Sequence, residues 1–419
     1  MRRLILALAP FLIAAAPASD YAARIDRILA RTPLIDGHND WPEVLREREG
    51  EGRWTLDLRQ GLAARPIPYN TDIARLRAGR VGGQFWSVYV SADKPGLEQV
   101  KETLEQIDLV KQIAARYPDA FELARTAADV RRIHKAGRIA SLIGVEGGGQ
   151  IDESLSVLRA YHDLGAGYLT LTHFATIAWA DSATDDPKHG GLTPFGEAVV
   201  RELNRLGMLV DLSHVSEGTM DDAIRVSKAP VIFSHSSTAA INDHPRNVSD
   251  AILRRLPANG GIVMVNYAEG YVSAAVRAWI VDRAAEEARQ TRLLVGRPDA
   301  RKAAMAAWEK AHPQPRATLG EVADHIDHIA KVAGVDHVGL GSDFDGVGNE
   351  LPEGLDSVAT YPALLAELMR RGWSDADIAK LAGENILRVM TAAEKIAVSM
   401  RSEPAAIATV AAPDEKAAR

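Results

Sequence analysis

The stretch PLIDGHNDWPE, residues 33–43, places a short apolar run directly before His38 and Asp40. A strand that ends this way either delivers ligands or runs into an ordinary polar turn. The pair alone does not decide, because His325 and Asp327 repeat it further along the chain. What decides is how many other apolar runs end in the same kind of group.

Eight such runs, rich in Val, Ile and Leu, stand at residues 34–36, 84–90, 139–145, 168–172, 209–212, 231–233, 262–265 and 337–340. Amphipathic segments lie between them, such as DESLSVLRAYHDLGA (152–166) and TPFGEAVVRELNRLG (193–207). The second opens on a Thr cap and closes on Gly207, as helices tend to. Strand–helix alternation repeated eight times implies an α/β chain with a parallel sheet, most economically a (β/α)8 TIM-type barrel. Two places depart from the repeat. Residues 46–80 form a long connection, with Pro66 and Pro68 at its centre. Residues 274–317 read as one or two extra helices, a helical insertion between strands 7 and 8 of the repeat.

The 419 residues, 47% hydrophobic and 25% charged, suit one large barrel. The formal charge of −7 and the absence of a basic cluster speak against a nucleic-acid partner. MRRLILALAPFLIAAAPASD at the N-terminus has two arginines, an apolar core too short for a confident span, and the small-x-small site Ala16-Pro17-Ala18. Residues 1–18 are read as a secretory signal peptide, which predicts a periplasmic or secreted protein. Residues 19–395 form the barrel domain, and residues 396–419, rich in Ala, Glu, Lys and Pro, are read as a disordered tail. The chain has no cysteine, so disulfides, thiolate ligands and a cysteine-linked lipid are excluded. No stable membrane anchor is expected.

Polar groups follow six of the eight strands. They are His38 and Asp40, then Glu146 in GVEGGG, His173 in LTLTHF, His214 in LVDLSHVS, His235 in VIFSHSS, and Asp343 in GLGSDFDG. Arg246 lies in the loop NDHPRNVSD. The C-terminal strand ends of such a barrel converge on one mouth, so these groups are expected together. Imidazole and carboxylate are zinc-type ligands. His38 and Asp40 would serve one ion and His214 and His235 another, with Glu146 bridging. Two divalent ions about 3.5–4 Å apart lower the pKa of a bridging water. By contrast His325 and Asp327 lie in a helical pattern, where residues two apart do not face each other. That pair is expected on a solvated helical face. Asp36 is a candidate to orient a ligand from behind. Asp343 is favoured over Asp345, which is expected to cap the next turn.

Together, IDGHND, GVEGGG, LTLTH, DLSHVS, VIFSHSS, PRNVSD and HVGLGSDFDG resemble the membrane (renal-type) dipeptidase family, metallopeptidase family M19, among the amidohydrolase-like barrels. The resemblance covers roughly residues 33–392, with the motifs in the family's order. It implies a zinc-dependent dipeptidase with two Zn2+ per chain, acting through a metal-bridging hydroxide on dipeptides; a C-terminal D-residue is expected to be tolerated, because the attack geometry need not read that centre. It implies His38, Asp40 and Glu146 as ligands of one zinc, and Glu146, His214 and His235 as ligands of the other. It further implies His173 on the carbonyl oxygen, Arg246 on the substrate's carboxylate and Asp343 as the proton shuttle. A homodimer is also implied. The helical insertion and the lack of cysteine and of a lipid-anchor signal depart from the family pattern and bear on attachment and dimer linkage. Hydrolysis of another small amide or lactone, or binding without catalysis, remain the alternatives.

Overall fold

The computed structural model describes residues 18–348 and 350–410. Apart from Ala18, the expected signal peptide lies outside the described residues, as do residues 411–419. Nine strands run β1 Leu34–Asn39, β2 Val81–Tyr89, β3 Phe121–Leu123, β4 Ile139–Glu146, β5 Ala166–Thr170, β6 Leu209–Asp211, β7 Ile232–Phe233, β8 Ile262–Val265 and β9 Val338–Leu340. They pair in the order β2-β1-β9-β8-β7-β6-β5-β4-β3, and a β2–β4 pairing closes eight of them into a parallel barrel. This is the expected (β/α)8 TIM-type barrel. Every residue of β1, β4 and β8 is buried. Helices cover the barrel outside and side chains fill it inside, so its strands read as continuous apolar runs.

The eight expected strands are β1, β2 and β4 to β9. The addition is β3, whose pattern FEL buries only Phe121. It pairs with the start of β4, from Phe121 opposite Ile139 to Leu123 opposite Ser141. From Ile143 onward β5 takes over that edge. So β3 widens the foot of the barrel and stays away from its mouth.

The helix Pro194–Leu206 starts on the Thr193 cap and stops at Gly207, at φ 81°. The insertion is two helices, Ala274–Leu293 and Pro298–Ala311, between β8 and β9. Each buries a single side chain, Val276 and Met305. They are tied by Arg283 to Glu309 at 2.7 Å and by the Trp279 indole N–H to the His312 carbonyl at 2.7 Å. Among the described residues, no helix is long and apolar enough to cross a membrane.

Two expectations are corrected here. The disordered tail does not begin at residue 396. The last helix, Asn385–Ser399, runs past that point, and beyond it the Ala406 amide donates to Glu202 at 3.1 Å. Nor does His325 lie on a solvated face. It is on the helix Leu319–Ala333 but fully buried. Its Nδ1 accepts from the Thr238 amide at 3.1 Å, which leaves the proton on Nε2 to donate to the Val272 carbonyl at 2.9 Å. Asp327 turns outward to Arg371 and Trp373.

Candidate metal centre

β1 carries His38 to the mouth and ends at Asn39. Asp40 follows at the N-cap of the helix Trp41–Glu49, yet its side chain bonds none of the helix amides. Its carboxylate is therefore free to face His38, with Oδ1 3.4 Å from Nε2. The convergence comes from this sharp strand-to-helix turn rather than from strand alternation.

Glu146, the last residue of β4, sits between two sets of imidazoles. Its Oε2 lies 3.3 Å from His38 Nε2, and its Oε1 lies 3.1 Å from His214 Nε2 and 3.3 Å from His235 Nε2. His173 Nε2 stands further off, 3.8 Å from Oε1. Ser87 donates to Oε2 at 2.9 Å. The donor atoms form three overlapping groups: His38, Glu146 and His235; Glu146, His173 and His214; His38, Asp40 and Asp343. All seven of these predicted residues are brought together. Arg246 is buried and lines the same cavity.

Three residues that line the cavity, His214, Asp343 and Asp345, have a left-handed backbone. His214 and Asp343 have φ of 70° and 67°, the left-handed region that costs a residue with a Cβ. Strain of this kind collects where a side chain must be aimed.

The donor set fits divalent cations. His214 Nε2 and His235 Nε2 are 2.9 Å apart, with Glu146 Oε1 beside both. With the proton of His214 on Nδ1, both nitrogens would turn lone pairs to this point, an arrangement that a cation stabilises. Ligand atoms around one tetrahedral ion at 2.0–2.1 Å lie roughly 3.3 Å apart, close to these spacings. Burial holds both imidazoles well below their usual pKa, in the neutral form that ligates. Burial opposes charge on Glu146 and His38 as well. Their mutual attraction overrides it, holding the carboxyl well below its ordinary range and the imidazole well above.

The tautomers are set from behind. Ser234 Oγ donates to Asp211 at 2.6 Å, so at 2.8 Å it accepts from His235 Nδ1–H. That leaves the Nε2 lone pair at the centre. Tyr168 Oη is 3.0 Å from His38 Nδ1 and also reaches the Gly37 carbonyl. A Cβ on Gly144 would overlap the Tyr168 ring, so the first glycine of GVEGGG makes room for that tyrosine inside the barrel. Asn266, just after β8, donates to Asp343 Oδ2 at 2.8 Å. Burial, then Asp40, pushes the Asp343 carboxyl well above the usual range.

Two predicted roles are corrected. Asp36 does not touch the His38 imidazole. It accepts from the Ser342 amide and hydroxyl, Tyr361 and Gln84, at 2.6–3.1 Å, and so stitches β1 to β2 and to the segment after β9. The place behind His38 belongs to Tyr168. Among the described residues, Asp345 caps no turn. It accepts from the Asn70 amide at 2.7 Å and its own amide donates to the Asn70 side chain at 3.0 Å, which anchors the long loop after β1. Tyr168, Asn266, Ser234 and Ser87 were not singled out from the sequence. Ser234 did stand in the quoted motif VIFSHSS, directly before the predicted ligand His235.

A cavity of about 320 Å3 opens in front of the cluster. Its walls include Tyr89, whose ring packs on His173 at 4.2 Å, and Phe174, half exposed at the rim. Glu43 and Glu47 also line it. Burial, then Asp40, Glu47 and Glu146, push the Glu43 carboxyl well above its ordinary range. A second cavity of about 300 Å3 lies at the foot of the barrel, among Phe85, Leu142, Met208 and Met390, away from the cluster.

Comparison with known proteins bears on this geometry. The profile of the membrane dipeptidases, peptidase family M19, matches residues 22–404. The dipeptidase verJ of Clonostachys rogersoniana is 40% identical over 393 residues, covering 91% of this chain and 89% of that protein. Among solved structures, the probable dipeptidase PvdM of Pseudomonas aeruginosa superposes with a TM-score of 0.76 at 25% identity, over 90% of this chain and 99% of that one. A metallo peptidase of Rhodobacter sphaeroides, liganded with a phosphinate mimic of the dipeptide L-Ala-D-Ala, gives 0.70 at 25% identity, over 87% and 99%. With a family match over nearly its whole length and a buried cluster that fits a metal-dependent hydrolase, the chain belongs to the membrane dipeptidase family, peptidase family M19.

Proposed function

We propose that this protein is a zinc-dependent dipeptidase with two ions per chain. His38, Asp40 and Glu146 would hold one, and Glu146, His214 and His235 the other. The observation that carries this reading is the division of Glu146, one oxygen facing His38 and the other facing His214 and His235. Bound there, the ions would supply Lewis acidity to a water and to the scissile carbonyl.

The remaining groups divide the work. Arg246 is buried, with its Nε unpartnered, and faces the cavity as a fork for the substrate's C-terminal carboxylate. That contact limits the substrate to two residues. Burial lowers His173 to about 4, so at neutral pH it is an uncharged donor for the oxygen that becomes negative on attack. Asp343, held by Asn266, takes a proton from the attacking water and passes it to the departing amine. A C-terminal D-residue is accepted in this reading, supported by the ligand of the Rhodobacter sphaeroides relative. Export to the periplasm or medium is supported by the pattern of residues 1–18.

The purified protein should carry about two metal ions per chain and hydrolyse Ala-Ala, with activity lost on chelation. Less than one ion per chain, or full activity in Glu146→Ala, rejects the reading. Amino-terminal sequencing of the protein exported from its host tests processing after Ala18.

A further inference from the structure

The cavity is charged differently on its two sides. Arg246 comes from the loop after β7 and lies beside His235 and Tyr271, with its guanidinium carbon 5.3 Å from the Tyr271 ring. Glu43 and Glu47 come from the helix Trp41–Glu49 after β1, on the side of Asp40 and Tyr89. Around the barrel, β9 and β8 separate β1 from β7.

The two glutamates are one helical turn apart, a spacing at which like charges repel. Among the described residues neither has an ion-pair or hydrogen-bond partner. The arginines beside them are engaged elsewhere. Arg46 pairs with Glu102 and Glu105, each at 3.0 Å, and Arg48 bonds the Pro68 carbonyl and covers the Tyr69 ring. Glu49, two residues beyond Glu47, is taken by Arg65 and Tyr69. Arg48 also lines the cavity, but its guanidinium is turned to the Pro68 carbonyl and the Tyr69 ring, so Glu43 and Glu47 are the carboxylates of this helix that face the cavity without a partner. On the opposite wall the buried, unpartnered Nε of Arg246 marks the same space as built for a ligand. A dipeptide is a zwitterion, with its carboxylate and its ammonium at opposite ends.

Resting on the dipeptidase reading, we propose that Glu43 and Glu47 form the subsite for a positively charged nitrogen on the substrate's N-terminal residue. That nitrogen is either the α-ammonium or a cationic side chain, and two substrates tell them apart. The metal-loaded enzyme, Glu43→Gln, Glu47→Gln and the double variant are compared on Ala-Ala and Lys-Ala, with metal content measured in parallel. The double variant should raise KM about tenfold with kcat and metal content near wild type, as loss of a charge-assisted contact made equally in ground and transition states would. An equal rise on both substrates assigns the α-ammonium. A rise confined to Lys-Ala assigns the side chain. The exposed Glu47→Gln should show a smaller shift in the same direction even if Glu43→Gln folds poorly. KM within about twofold of wild type on both substrates overturns the subsite, and so does a fall in kcat and metal content with KM unchanged. A wild-type enzyme inert toward every dipeptide overturns the dipeptidase reading and this subsite together, whereas an active one indifferent to both substitutions overturns the subsite alone.

Discussion

His38 with Asp40, and His325 with Asp327, are the same His-x-Asp pattern with opposite fates. At the end of β1 the chain turns sharply into a helix, and both side chains of the first pair enter one cavity, 3.4 Å apart. On the helix Leu319–Ala333 the second pair diverges. His325 points inward, between the Thr238 amide and the Val272 carbonyl, while Asp327 points outward to Arg371 and Trp373. In the first pair His38 keeps one nitrogen at the centre and has only the other bonded from behind. In the second, both histidine nitrogens are consumed by the backbone. An imidazole so satisfied is a structural strut, and one with a bare nitrogen beside a carboxylate is a ligand in waiting.

That contrast can be broken at four points. The largest effect is expected from Glu146→Ala, which removes the carboxylate shared by both groups of imidazoles. Hydrolysis of Ala-Ala should fall at least about a thousandfold, ~4 kcal/mol in barrier, with metal content falling too. Retention of both would mean that the centre is not the reactive site. His325→Ala should do the reverse. Activity per folded, metal-loaded chain should stay near wild type, while urea denaturation shows a loss of about 3 kcal/mol, since two buried backbone groups lose their partner and a cavity opens. A large drop in kcat without loss of stability would place His325 in the reaction after all.

Tyr168→Phe tests the support behind His38. Losing the hydroxyl at Nδ1 should weaken metal binding by about 10–100-fold, read by competition with a chelator. Unchanged affinity would show that His38 is oriented by packing alone. The smallest effect belongs to Asp327→Asn, a half-exposed partner of Arg371. Stability should change by no more than about 1 kcal/mol, and less in high salt, with kinetics untouched.

Much of the barrel was legible because its strands are buried on both faces. Runs such as IASLIGV and GIVMV need no tertiary information to be recognised as β4 and β8. FEL was invisible as β3, because three residues with one buried side chain carry no period. At the centre, the residue types that ligate metals were readable wherever they followed a strand. The residues that hold those ligands were not. Asp36 sits one strand step behind His38 and was the natural candidate for support, yet neighbours across the sheet claim its oxygens. Tyr168 took that place only because Gly144, on the adjacent strand, leaves space for its ring. Asp345 was assigned to a local turn and instead anchors Asn70, far away in sequence.

The sequence by itself determined the alternation that closes into a barrel, the family, and which imidazoles and carboxylates reach the mouth. These are properties of local pattern, and barrel closure then brings all strand ends to one place. Only the tertiary structure decided which groups support each ligand from behind and which face of the helix Trp41–Glu49 stands against the cavity. Those depend on contacts between segments hundreds of residues apart. In such contacts a few tenths of an ångström separate a hydrogen bond from none, and no periodicity along the chain records them.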